Sequence, residues 1–259
     1  MATTLSARVA QKLLQDDSKF VEVLRHDGRS PIVLVCEHAS PYIPATFEGL
    51  GVSPAGRSSH VAWDPGAIAV AQAMSRVLNA ALVSSLVSRL VYDCNRPPDA
   101  IDTMPTHSEA YAVPGNCDLT EVEKRARVAR YYVPFHDRLA SLIASRIDPI
   151  IVTIHSFTPI YNGKVRDVEI GILHDRDSRL ADAMLHVSDR HDVRRNAPYG
   201  PKDGVTHTLK EHAITHGHLN VMIEIRNDLI ADEASQMAMA QTLAGWIEQA
   251  LKTVRAKIC

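Results

Sequence analysis

Two apolar runs, Ile32-Val33-Leu34-Val35-Cys36 and Ile150-Ile151-Val152-Thr153-Ile154, are too short for helices and too continuously hydrophobic for strands with one wet face. They predict buried strands of a parallel sheet, at 31–37 and 149–154, and each leads directly into a histidine, His38 and His155. Further strands are predicted at 81–86, 90–93, 169–173 and 220–225, where short apolar stretches stop at prolines, glycines or polar clusters. Helical spacing is predicted over 65–78, 119–146, 176–190, 209–216 and 231–255. Val9, Leu13, Leu14, Phe20, Val21 and Leu24 predict a lead-in helix over 5–27 that covers the sheet. Pro65 in a first turn makes Asp64 the expected N-cap, and Pro134 is expected to kink its helix. Irregular segments fall at 38–44, 49–64, 99–118, 156–159 and 193–204. Strands alternating with helices predict an α/β fold, a mostly parallel sheet with helices on both faces.

Composition narrows the function classes. Apolar residues at 46% and charged residues at 22% are ordinary for a globular protein, and a net charge of −2 gives no electrostatic reason to expect nucleic acid as a partner. No run approaches the ~20 apolar residues of a membrane span, and the first residues lack an apolar signal core, so a cytoplasmic protein without membrane attachment is expected. Cys36, Cys94, Cys117 and Cys259 form no C-x-x-C pair, which argues against a cysteine zinc site or a disulfide framework.

The candidate chemistry starts from the two histidines. Ligands bind beyond the carboxyl ends of parallel strands, so His38 and His155 could converge there on one ion or substrate, although a strand-end imidazole can equally cap a carbonyl. Catalytic zinc takes about three protein ligands, so a carboxylate must join them. Asp64 is preferred over Glu37, whose side chain points away from that of its neighbour His38 if the strand continues; helix capping competes for the Asp64 oxygens. Glu224, embedded in Val221-Met222-Ile223, is costly to bury unpaired and reads as a general base or as the partner of Arg226 or another arginine. Asn95-Arg96 offers a planar fork suited to a substrate carboxylate. Arg89 and Arg226 could polarise a carbonyl or lie on the surface. Ser40 and Ser156 lie in no G-x-S-x-G elbow, and no G-x-G-x-x-G or Walker pattern occurs.

Five motifs in order, Cys36-Glu37-His38-Ala39-Ser40, Asp64-Pro65-Gly66-Ala67, Ser88 to Pro97, His155-Ser156-Phe157-Thr158-Pro159 and Ile223 to Asp228, resemble the N-formylglutamate amidohydrolase family over roughly residues 30–250. The resemblance implies one domain over 1–259, a three-layer α/β/α sandwich around a mostly parallel mixed sheet, similar to zinc carboxypeptidases and aspartoacylases. It implies a hydrolase acting on a small-molecule N-acyl amino acid such as N-formylglutamate, with Zn²⁺ or another divalent metal held by His38, Asp64 and His155. Glu224 matches the late glutamate base and Asn95-Arg96 the pair that holds a substrate carboxylate, while an arginine steadies the oxyanion. One departure stands out: the relatives carry a metal-binding glutamate three residues after the first histidine, where this chain has Pro41. A peptide-like or cell-wall amide, or carboxylate binding without catalysis, are the rival expectations.

Overall fold

Seven strands form one sheet in the computed structural model, which describes residues 20–256. They are β1 Val21–Leu24, β2 Ile32–Cys36, β3 Ala81–Ser85, β4 Ile150–Phe157, β5 Ile170–Leu173, β6 Val193–Arg195 and β7 Leu219–Arg226. Their order is β1-β3-β2-β4-β7-β5-β6. The central four, β3, β2, β4 and β7, run parallel; β1 and β5 are antiparallel to β3 and β7, and β6 runs parallel to β5. The mostly parallel mixed sheet expected from the sequence is present.

Burial on both faces explains the unbroken hydrophobic runs. Ile32, Leu34, Ile150, Val152, Ile154, Val221 and Ile223 pack under the helices Ala67–Leu78, Arg179–Val187 and Glu233–Ala256. Their strand neighbours Val33, Val35, Ile151 and Met222 pack under Val133–Ala144 and His207–His212 on the opposite face. Fully burying each such side chain contributes about 1.5–3 kcal/mol, and parallel strands need a long crossover that covers a face, so three layers follow. Parallel register aligns β4 with β7 over eight residues, placing Glu224 opposite His155.

Four local expectations change. Phe20 to Asp27 is not helical: Val21 and Val23 face one core and Leu24 the other, and β1 pairs with β3, while the rest of the expected lead-in helix lies outside the described residues. Residues 90–93 form no strand: Leu90 and Val91 lie in a turn and Tyr92 and Asp93 are irregular, because the Ser88 hydroxyl accepts from Leu90 N and donates to Ala62 O, giving this segment a local alternative to the sheet. Strand β4 continues through His155 and Ser156 to Phe157, since β7 pairs with it to the end. Gly66, not Asp64, caps the helix Ala67–Leu78, which leaves the Asp64 carboxylate available elsewhere. Pro134 does disturb its helix: lacking an N–H, it follows a wide turn over Val128–Tyr132 that separates Glu121–Arg127 from Val133–Ala144.

Gly171 sits in β5 opposite Glu224, and a Cβ there would overlap the carbonyl oxygen of Ala197, two residues before Tyr199. Gly171→Ala is therefore expected to cost about 1–3 kcal/mol of stability. Urea denaturation should show a lower midpoint with an unchanged m-value.

Candidate active site

The C-terminal ends of β2, β4 and β7 open into a cavity of about 650 Å³ whose walls include His38, Asp64, Arg89, Asp93, Asn95, Arg96, His155, Arg166, Tyr199 and Glu224. His155 and Glu224 share the parity of Ile151 and Met222, so both leave the same sheet face; Glu37 continues the parity of Val35 on that side. His38 lies just past β2. Asp64 N donates to His38 O, tying the start of the next crossover to this turn, while Ser156 Oγ donates to Pro65 O and Ser156 N to Asp64 Oδ2.

Three donor atoms meet at the centre. His38 Nδ1 is 3.3 Å from Asp64 Oδ2, His155 Nδ1 is 2.9 Å from the same oxygen, and the two Nδ1 atoms are 3.2 Å apart. All three residues are buried. His38 Nε2 donates to Asp93 Oδ1 at 2.8 Å, which leaves the Nδ1 lone pair pointing into the cluster. On the other side, His155 Nε2 lies 3.1 Å from Glu37 Oε2, a close charge contact too bent for a well-formed hydrogen bond. Two imidazole nitrogens and a carboxylate oxygen this close need a proton or a cation between them. Their separations approach the ~3.3 Å edge of a tetrahedron with bonds of about 2.0–2.1 Å, so the donor set fits zinc in number, kind and spacing. Among the described residues it is the one cluster that brings three such ligand atoms together.

The surrounding charges brace the cluster. Arg89 donates to Asp64 Oδ1 at 3.4 Å and to Asp93 Oδ2 at 2.9 Å, and Asp93 Oδ1 also accepts from Asn95 N. Burial would raise the Asp64 and Asp93 carboxyls, yet the neighbouring His38 outweighs it, with His155 helping at Asp64 and Arg89 at Asp93; both stay well below the usual carboxylate range. Burial would likewise lower His38 and His155, but Asp93 and Asp64 raise the first, and Glu37 with Asp64 raises the second. Glu224 is the exception. Burial pushes its carboxyl up to about 7, with Oε2 lacking a hydrogen-bond partner at the cavity wall.

The structure thus brings His38, Asp64, His155, Glu224 and Arg89 into one wall. Asn95 and Arg96 also reach it, but their donors are engaged. Asn95 Nδ2 donates to Val205 O while its Oδ1 accepts from Thr208 N, and Arg96 binds Asp102 and the carbonyls of Asn95 and Gly204. Arg226 is not brought to the cavity. It shares the parity of Glu224 on β7, but its guanidinium at the strand end is held by Asp228, Glu169 and the carbonyls of Arg166 and Asp167. Sequence reading passed over Asp93, whose place two residues before Asn95 was the available signal, and over Arg166 and Tyr199, which no local pattern marks.

The N-formylglutamate amidohydrolase family profile matches residues 30–231. A solved gene product of Agrobacterium tumefaciens is 54% identical, with a TM-score of 0.90 over 92% of this chain and 97% of that one. An N-formylglutamate amidohydrolase from Ralstonia eutropha shares the fold at 19% identity, with a TM-score of 0.60 over 92% of this chain and 98% of that one. No curated protein sequence matches the chain closely enough to count.

Because both imidazoles bind protons more tightly than usual, a metal ion must displace them, so zinc affinity should rise with pH. Titration calorimetry in buffers of different ionisation enthalpy should show proton release, with affinity weaker on the order of tenfold at pH 6 than at 7.5. Affinity independent of pH would contradict this. Asp93→Asn, which loosens the hold on His38, should weaken zinc binding about 10–100-fold.

Proposed function

The chain belongs to the N-formylglutamate amidohydrolase family, and on that premise we propose that it is a metal-dependent hydrolase of the amide bond in an N-acyl amino acid, with N-formylglutamate as the type substrate. One observation carries the reading: a His-Asp-His donor set beside a buried carboxylate, one oxygen of which has no hydrogen-bond partner among the described residues, at the floor of a polar cavity. A divalent ion, zinc by the nature of the donors, would be held by His38, Asp64 and His155 and would polarise the scissile carbonyl and acidify water.

The remaining work falls to the chain's own side chains. Glu224, in register with His155 and held near neutrality by burial, takes a proton from the attacking water and returns it to the departing amine nitrogen. Arg89, fixed by Asp64 and Asp93, presents positive charge at the wall where the carbonyl oxygen becomes anionic. Asp93 and Glu37 orient the two imidazoles from behind, and Asp64 fills the role that the relatives give to the glutamate missing at Pro41. Asn95 and Arg96 hold the segment 203–208 against the cavity and so shape the face that receives the substrate acid.

Glu224→Gln should lower kcat on N-formyl-L-glutamate by about 10²–10⁴-fold with bound metal and KM little changed, and His38→Ala should lose both metal and activity. Elemental analysis and steady-state kinetics check both. Full activity in Glu224→Gln, or in metal-stripped protein, contradicts the mechanism, and turnover confined to peptide-like amides would move the substrate class.

A further inference from the structure

Three arginines line the cavity, and they differ in what they already hold. Arg89 is paired with Asp64 and Asp93, and Arg96 with Asp102 and backbone carbonyls. Among the described residues no carboxylate lies within ion-pair distance of Arg166, although its side chain is half-buried. Its sequence neighbour Glu169 is committed to His191 and Arg226.

The guanidinium is nonetheless fixed. Its Cζ lies 4.3 Å from the Tyr161 ring centroid, 4.8 Å from that of Tyr199 and 5.6 Å from that of Phe157. Nη2 donates to the Tyr199 hydroxyl at 3.0 Å, while the contact of Nη1 with Thr158 O is long at 3.4 Å. The backbone is held as well, by Arg166 N donating to Pro159 O and by Arg226 donating to Arg166 O. Ring contacts and a pinned backbone orient the planar fork before any ligand arrives, but rings supply no compensating negative charge. The Tyr199 hydroxyl, already an acceptor from Arg166, has its own proton left to donate. Such a preorganised cation with spare donors, set in a cavity wall, matches a planar carboxylate that accepts a bidentate pair.

We propose that Arg166, with the Tyr199 hydroxyl, binds a carboxylate of the N-acyl amino acid and restricts turnover to acids that carry it. This rests on the amidohydrolase reading and assigns selectivity to the 157–166 and 197–199 segments rather than to Asn95-Arg96.

The test compares wild type, Arg166→Gln and Tyr199→Phe on N-formyl-L-glutamate, N-formyl-L-glutamine and N-formyl-L-isoglutamine. The last two replace the side-chain and the α-carboxylate by amides. Arg166→Gln should lower kcat/KM for N-formyl-L-glutamate on the order of 100-fold, mainly through KM, and Tyr199→Phe, which keeps the ring, by about 10-fold. On whichever amide lacks the carboxylate that Arg166 reads, both losses should shrink to a few-fold, which also identifies that carboxylate. Equal losses on all three substrates, or none, would overturn the proposal. If wild type hydrolyses no N-acyl amino acid, the amidohydrolase reading fails instead. Glutarate binding by calorimetry then decides the inference separately: weaker binding in Arg166→Gln and Tyr199→Phe supports it, and equal binding refutes it.

Discussion

The structure turns on two imidazole nitrogens facing each other across one carboxylate oxygen. His38 Nδ1, His155 Nδ1 and Asp64 Oδ2 could not be packed this closely in a buried site without positive charge among them. Everything around them fits that demand. Asp93 and Glu37 lie behind the rings, Arg89 spans the two aspartates, and Glu224 stands nearby with one oxygen that finds no hydrogen-bond partner among the described residues. Removing any one of these acids or bases changes the charge balance for all the others, which is why the site is better regarded as one ionised unit than as separate residues.

That unit is assembled by topology. Parallel neighbours β2, β4 and β7 end at the same edge, and the turn after β2 supplies His38 while the crossover behind it supplies Asp64. The cavity walls come from the irregular segments between strands, including the hairpin at Ile160–Val165 and the loop through Tyr199. The rigid sheet edge thus carries the His-Asp-His cluster and Glu224, whereas the loops supply the rest of the cavity wall.

The sequence made the sheet legible because its central strands are buried on both faces and so read as unbroken apolar runs. It made His38 and His155 legible because both stand where such runs end. The segment 90–93 was misread since a serine side chain, rather than hydrophobicity, decides that backbone. At Val21–Leu24 helical spacing and strand alternation coexist, and pairing with β3 settles the matter. Arg226 and Arg166 show the limit more sharply. Both are arginines in polar surroundings, and only the path of neighbouring chain segments makes one a brace for backbone carbonyls and the other a cation turned to the cavity.

The eight-residue pairing of β4 with β7 has a consequence for where this chain can change in length. His155 and Glu224 come from strands distant in sequence but sit side by side, and a strand's two faces alternate with every residue. A single-residue insertion or deletion inside either strand would turn one partner toward the opposite helical layer and leave the other behind. His155 and Glu224 are thus locked in phase: a change of length in the loops around the cavity leaves their pairing intact, whereas one within the two strands that form its floor breaks it.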